Sequence, residues 1–116
     1  MLVFEGLKKL EYRGYDSWGV AWQKEDSIKT YREVGKISES SPEPFEHEKS
    51  QLAMSHSRWA TQGGVTETNA HPHRSSDNSI VVIHNGIIEN YSEIKEQLGT
   101  HRFSTQTDTE VICELI

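Results

Sequence analysis

Three short stretches of the sequence carry side chains able to hold or polarise a small polar substrate. Asn85-Gly86 follows an apolar run at residues 80–83, with only His84 between. A side-chain amide next to a sterically open backbone N–H offers two neutral donors converging on one point. That is what the oxyanion of an acyl-transfer intermediate requires. The same dipeptide is the strongest two-residue hairpin signal, and on the dipeptide alone the turn is the simpler reading. The second stretch is Arg58-Trp-Ala-Thr-Gln-Gly-Gly64. The planar Arg58 fork suits a carboxylate, Trp59 can shut a small pocket against water, and Gly63-Gly64 lets backbone fold over a ligand. A surface loop whose Trp packs on the core accounts for it equally well. The third is Asp108, which either caps a following helix or turns its carboxylate to an ammonium group. With Arg58 it would match the two charged ends of a free amino acid.

Four histidines, His56, His71, His73 and His84, raise the question of a metal. No Cys pair or His-Glu-x-x-His helix accompanies them, so the expectation is no metal, with the imidazoles orienting loops through hydrogen bonds. The chain has 116 residues, with 12 Lys plus Arg against 18 Asp plus Glu, a formal charge of −6. Nucleic acid and anionic membrane surfaces are therefore not expected partners, since both need clustered cations. Mean hydropathy is −0.70, and no apolar run approaches the roughly 18–20 residues of a membrane span. The single cysteine, Cys113, asks for no oxidising compartment, so cytoplasm is the expected location. A hydrophobic content of 34% is thin for a self-sufficient core and suggests part of a larger protein.

The elements that must position these groups are mostly strands. Val3, Leu7 and Leu10 recur at helical spacing, with Gly14 as a stop. Residues 17–23 and 27–34 alternate as strands joined by a turn at 24–27. Residues 38–50, with Pro42 and Pro44, form a surface connection, and 51–57 a short strand. Residues 58–79 are too long a loop to be idle. Residues 80–83 read as a central strand buried on both faces. Residues 91–98 form an amphipathic helix on Ile94 and Leu98, 102–106 one more strand, and 109–116 a helix capped by Asp108. Both terminal helical patterns run to the ends of the sequence, so the chain is expected to be cut at each end.

Six blocks then occur in order: Leu7-Lys-Lys-Leu-Glu-Tyr-Arg-Gly-Tyr-Asp-Ser17, Gly35-Lys36, Arg58-Trp-Ala-Thr61, Asn69-Ala-His-Pro-His73, His84-Asn-Gly-Ile-Ile-Glu-Asn90 and Thr107-Asp-Thr-Glu-Val111. Together they resemble the glutaminase domain of the glutamine–fructose-6-phosphate aminotransferases, a class II glutamine amidotransferase domain. The likeness runs nearly end to end, weakening only over residues 37–50. Purine-pathway amidotransferases share the scaffold but read Gln-His-Arg-Gly-Gln-Glu-Ser, Arg-Tyr-Ser-Thr and Asn-Ala-Gln-Pro-Phe at the distinctive blocks, where this chain sides with the hexosamine family.

The resemblance implies an α+β fold of the N-terminal-nucleophile type, a four-layer α/β/β/α sandwich with antiparallel sheets. Residues 1–116 would form a partial glutaminase domain lacking the first strand. It implies hydrolysis of L-glutamine through a thioester on an N-terminal cysteine whose α-amine, titrating near 7.7–8.0, is the base. By position, Asn85 and Gly86 become the oxyanion hole, while Arg58 and Asp108 grip the α-carboxylate and α-ammonium. Trp59, Thr61, Gln62 and Gly63 belong to a closing loop, His71 to the pocket wall, and Arg13 and His84 to its support. No cofactor is implied. Fructose-6-phosphate would enter through an isomerase domain outside this chain, and the parent would be a homo-oligomer. The family's cysteine would fall roughly a dozen residues upstream of Met1, about a strand and a half-helix, so the chain as written is expected not to turn glutamine over. Without that cysteine, a non-catalytic glutamine-binding module is the alternative. Gln62 stands where the family usually has His, and Trp18 replaces a customary Ala, which puts local packing in question.

Overall fold

The computed structural model describes residues 1–61, 63–99 and 103–116. The chain opens with helix α1 (Leu2–Lys9) and a 3-10 turn, Glu11–Arg13, closed by Gly14 at φ 79°. Leu7 is buried as its spacing predicts, but the second buried residue of α1 is Phe4, while Leu10 is 40% exposed. Val3 packs against the core only partly buried, and the fully buried position goes to the larger aromatic ring of Phe4.

Strands β1 (Ser17–Lys24) and β2 (Ser27–Val34) form the expected hairpin. Lys24 pairs with Ser27, and Glu25 takes the left-handed backbone that a two-residue turn demands. Strand β3 (Ala53–Arg58) adds to the other edge of β1, giving an antiparallel sheet ordered β2-β1-β3. A second antiparallel pair joins β4 (His73–Arg74) to β5 (Val81–Val82). Helix α2 (Tyr91–Leu98) forms where expected, and α3 (Glu110–Leu115) follows. Helix α1 packs on β3, and α3 on β4 and β5. Arg74 reaches across to Thr30 Oγ1 at 3.4 Å and the Ile28 carbonyl at 3.2 Å, so the two sheets face each other. The layers are helix, sheet, sheet, helix, as expected.

Period-2 alternation sends Trp18, Val20 and Trp22 of β1 toward α1, and Ser17, Gly19 and Ala21 toward the second sheet. All six are buried, because β1 is central and covered on both faces. Gly19 is needed there: a Cβ would lie 2.1 Å from the His71 carbonyl oxygen. Trp18 is wholly buried, with Phe4, Tyr31 and Phe45 around it at centroid distances of 5.3, 5.7 and 6.4 Å. The large residue is therefore accommodated within an aromatic cluster.

Three expectations are corrected. Residues 38–50 are not only a surface connection: after a 3-10 turn at Ile37–Glu39, Phe45 inserts into the core and is fully buried. Residues 80–83 are not a central strand. Only Val81–Val82 pair, both are half-buried, and Ile83 is 38% exposed. Ile80 is instead tied into the preceding turn, its N–H donated to Ser75 Oγ at 3.0 Å and its carbonyl accepting from the Ser75 N–H at 3.0 Å. Residues 103–106 hold no strand, the rest of that expected strand lying outside the described residues. Glu110 binds Ser104 and Thr105 there, at 2.9 and 2.8 Å to their backbone N–H groups, and folds them into a turn.

Phe45→Ala should destabilise the fold by about 3–5 kcal/mol, the cost of emptying an aromatic site in a packed core. Urea unfolding measures it, and a loss under 1 kcal/mol would show that the 38–50 segment does not seal the core.

Candidate active site

The inter-sheet face of β3 carries Met54, His56 and Arg58, opposite Ala21, Gly19 and Ser17. Arg58, the last residue of β3, is therefore delivered to the end of the sandwich. There a cleft of about 1020 Å³ opens, lined by Arg58, Asn85, Gly86 and Asp108 together with Trp59, Thr61, His71, His84 and Arg13. Groups separated by 50 positions in the chain thus border one cavity. Gly63 lies in the adjoining loop, and Gln62 lies outside the described residues.

Arg58 is 3% exposed. Its Nη1 donates to the Gly64 carbonyl at 2.9 Å and its Nη2 to Gly63 at 3.4 Å, which sets the plane of the fork. Burial lowers its pKa, and the charges of Asp16 and Asp108 oppose that shift, so the guanidinium stays a cation in a partly dry site. Trp59 does not pack on the core. It is 70% exposed, with its ring lying over Gly14, where a Cβ would meet Cζ3 at 3.2 Å.

The Asn85-Gly86 dipeptide is not a hairpin turn. β5 pairs backward with β4, and after it the chain runs irregular and exposed to α2. Gly86 lies against the His84 ring, where a Cβ would approach Nε2 to 2.9 Å. His84 is in turn held by Thr109 Oγ1 at 3.2 Å through Nδ1.

Asp108 is not the cap of α3. The N-cap is Thr109, without a side-chain cap bond. The Asp108 carboxylate is buried and accepts the Ile88 N–H at 2.7 Å, which draws residues 83–90 against the start of α3. Neither bland reading, turn or cap, describes these residues.

The histidines form a packed wall. His56 stacks on His71 at 4.3 Å, and His71 meets His73 edge-on at 4.5 Å. His73 Nε2 bonds Thr107 Oγ1 at 2.9 Å, and His71 Nδ1 accepts the His84 N–H at 3.4 Å. Burial, with neighbouring histidines and arginines adding to it, pushes His71 down to about 2 and His73 to about 4. The wall is therefore neutral and shapes the cleft without adding charge. Among the described residues, no group of three or more His, Cys, Asp and Glu is arranged to hold a metal ion.

Four supporting residues escaped the sequence reading. Asp16 accepts the Ala60 N–H and so holds the start of the 59–64 loop. Asn69 and Gln106 bind each other and Gly64. Glu110, buried within α3, accepts from the Ser104 and Thr105 backbones and hydroxyls. Its pKa is raised by burial but lowered on balance by those donors. Asp16, Asn69 and Glu110 lie within the motif blocks and Gln106 outside them, but nothing in the sequence pointed to these partners. Cys113 is buried in α3 with its thiol pushed up to about 11 by burial, too high for a ready nucleophile.

The sequence model of the glutamine amidotransferase domain matches residues 41–116. The chain is 50% identical over 118 residues to a glutamine–fructose-6-phosphate aminotransferase (isomerizing) of Methanococcus maripaludis, covering 99% of this chain and 20% of the relative. An enzyme of the same name from Idiomarina loihiensis is 50% identical over 122 residues, covering 99% and 19%. The chain thus spans about a fifth of the length of the curated relatives it matches. Among solved structures, the glutamine phosphoribosylpyrophosphate amidotransferase of B. subtilis superposes with a TM-score of 0.75 at 30% identity, over 97% of this chain and 25% of that one. An allosteric regulatory enzyme of purine biosynthesis gives 0.72 at 31%, over 98% and 26%. Among the described residues, no helix is long and apolar enough to cross a membrane.

The neutral wall makes the fold acid-sensitive. An unfolded histidine titrates near 6.5, whereas His73 and His71 in the fold resist protonation down to about 4 and about 2. Below pH 6.5 the unfolded chain binds protons that the folded chain refuses, so stability falls as pH falls, by up to about 1.4 kcal/mol per unit for each histidine. Thermal unfolding should show the midpoint dropping from pH 6.5 to 4.5, less steeply in His73→Gln. A midpoint unchanged over that range contradicts the neutral wall.

Proposed function

The chain belongs to the glutamine amidotransferase domain family, and from that premise we propose that its cleft binds L-glutamine for hydrolysis to glutamate and ammonia. One observation carries the reading: Arg58, Asn85-Gly86 and Asp108 line a single cleft. The guanidinium takes the α-carboxylate and Asp108 the α-ammonium. The Asn85 amide and the Gly86 N–H face the oxygen of the side-chain carboxamide as it becomes an oxyanion. Neutral His71 walls the pocket beside His84, Arg13 supports its margin, and the loop from Trp59 through Thr61 and Gly63 covers the ligand.

Residues 1–116 form the glutaminase portion of a larger enzyme on this reading. Relatives at 50% identity bear the aminotransferase name, which favours ammonia passing to fructose-6-phosphate on an isomerase domain, in a cytoplasmic homo-oligomer. The purine-pathway alternative is supported by a fold match at 30% identity and is the weaker reading. Cys113 is not the nucleophile, being buried and high in pKa. The N-terminal cysteine that the resemblance implies fills that role.

Asp108→Ala, in the protein carrying that cysteine, should raise the KM for glutamine at least tenfold, since a charge-assisted contact is lost. An unchanged KM rejects the amino-acid clamp. Asn85→Ala should lower kcat by about 10²–10³ with KM little moved, and steady-state kinetics showing less than a threefold loss would remove Asn85 from the oxyanion hole.

A further inference from the structure

Arg58 and Asp108 can serve one amino acid only if their separation is held, yet Arg58 ends β3 and Asp108 lies in the irregular stretch before α3. The structure shows what spans them. Asn69 is 2% exposed, and its carboxamide is fully engaged. Oδ1 accepts the Gln106 N–H at 2.9 Å, while Nδ2 donates to Gln106 Oε1 at 3.0 Å and to the Gly64 carbonyl at 3.0 Å. Gln106 Oε1 also accepts the Gly64 N–H at 3.3 Å. Turning the Asn69 amide over would set its oxygen against two acceptors, so the partners fix its orientation.

Gly64 is where the two ends meet. Its carbonyl accepts from both Arg58 Nη1 at 2.9 Å and Asn69 Nδ2. A chain of hydrogen bonds therefore runs from the guanidinium through Gly64 and Asn69 to the backbone of residue 106, two positions before Asp108. Gly63 is built around it. At φ 79° it has the left-handed backbone that disfavours a side chain, and a Cβ would stand 2.8 Å from Gln106 Cβ and 3.0 Å from Asn69 Nδ2. Residues 65–68 beside it are exposed, so packing does not explain a buried, fully satisfied amide here. Such networks fix geometry because leaving any member unpaired is costly.

We propose that Asn69 and Gln106 form a positioning latch that sets the distance between Arg58 and Asp108, and with it the selection of a ligand bearing both an α-carboxylate and an α-ammonium. This rests on the amino-acid clamp of the preceding subsection. The latch touches no ligand and acts through the two charged residues.

The test uses the full-length protein and three unreactive probes measured by calorimetry: L-glutamate, glutarate, which lacks the ammonium, and 4-aminobutyrate, which lacks the α-carboxylate. Asn69→Ala should weaken L-glutamate about tenfold and each single-ended probe less than threefold. The Asn69→Ala/Gln106→Ala pair should be no worse than the weaker single variant, as for two residues acting as one unit. Gln106 is exposed, so Gln106→Ala preserves the fold and decides the matter if Asn69→Ala does not fold. It should weaken L-glutamate at least threefold while sparing the single-ended probes. Equal weakening of all three probes, an unchanged L-glutamate affinity or additive losses in the pair overturn the latch. Wild-type binding that Asp108→Ala abolishes, with both latch variants behaving as wild type, defeats the latch alone. A wild-type protein that binds none of the probes defeats the clamp, and the latch with it.

Discussion

The carboxylate of Asp108 accepts the Ile88 N–H at 2.7 Å, and the cleft depends on that bond. Residues 83–90 are irregular and largely exposed, so Asn85-Gly86 is placed by hydrogen bonds, this one and those of His84 to His71 and Thr109, rather than by strand pairing or apolar packing. A charge-assisted bond to a buried carboxylate is short and strong enough to hold such a segment. It also uses only part of one oxygen's capacity, since an ionised carboxylate accepts about four hydrogen bonds. The same group can thus anchor the donor segment and face a cation.

The two halves of the molecule are stabilised by different physics. On the α1 side, Phe4, Trp18, Tyr31 and Phe45 form a ring cluster with centroid separations of 5.0 to 6.4 Å. On the cleft side hydrogen bonds hold the buried polar groups Asn69, Thr107 and Glu110, each at most 2% exposed. This explains how a chain only 34% hydrophobic forms both a core and a site. Apolar area is concentrated where nothing needs to be placed exactingly, and directional bonds are concentrated where groups must point. A site that works by preorganised donors needs that rigidity, because its advantage over water is that its dipoles need not reorient.

The hairpin of β1 and β2 and the helix α2 were legible because local forces make them. Alternation, a turn of Lys24 to Ser27 and helical spacing each act within a few residues. The same reasoning failed at residues 80–83. An apolar β-branched run reports a preference for burial, but a ladder needs a partner, and β4 offers only His73–Arg74. Phe45 was missed for the converse reason. Its neighbours Pro42 and Pro44 describe a loop correctly, while the cavity that receives the ring is made by α1 and β1.

By itself, the sequence determined the chemical groups on hand and the local elements that carry them: a guanidinium ending one strand, an amide and a glycine following another, a carboxylate before the last helix. These follow from residue type and short-range periodicity. That they share one cleft was decided by tertiary structure. Gly19 admits the His71 backbone, Ile88 reaches Asp108, and Asn69 binds Gln106 across 37 positions. Contacts so distant in sequence leave no periodic trace, because their energy is gained only once the intervening chain has folded.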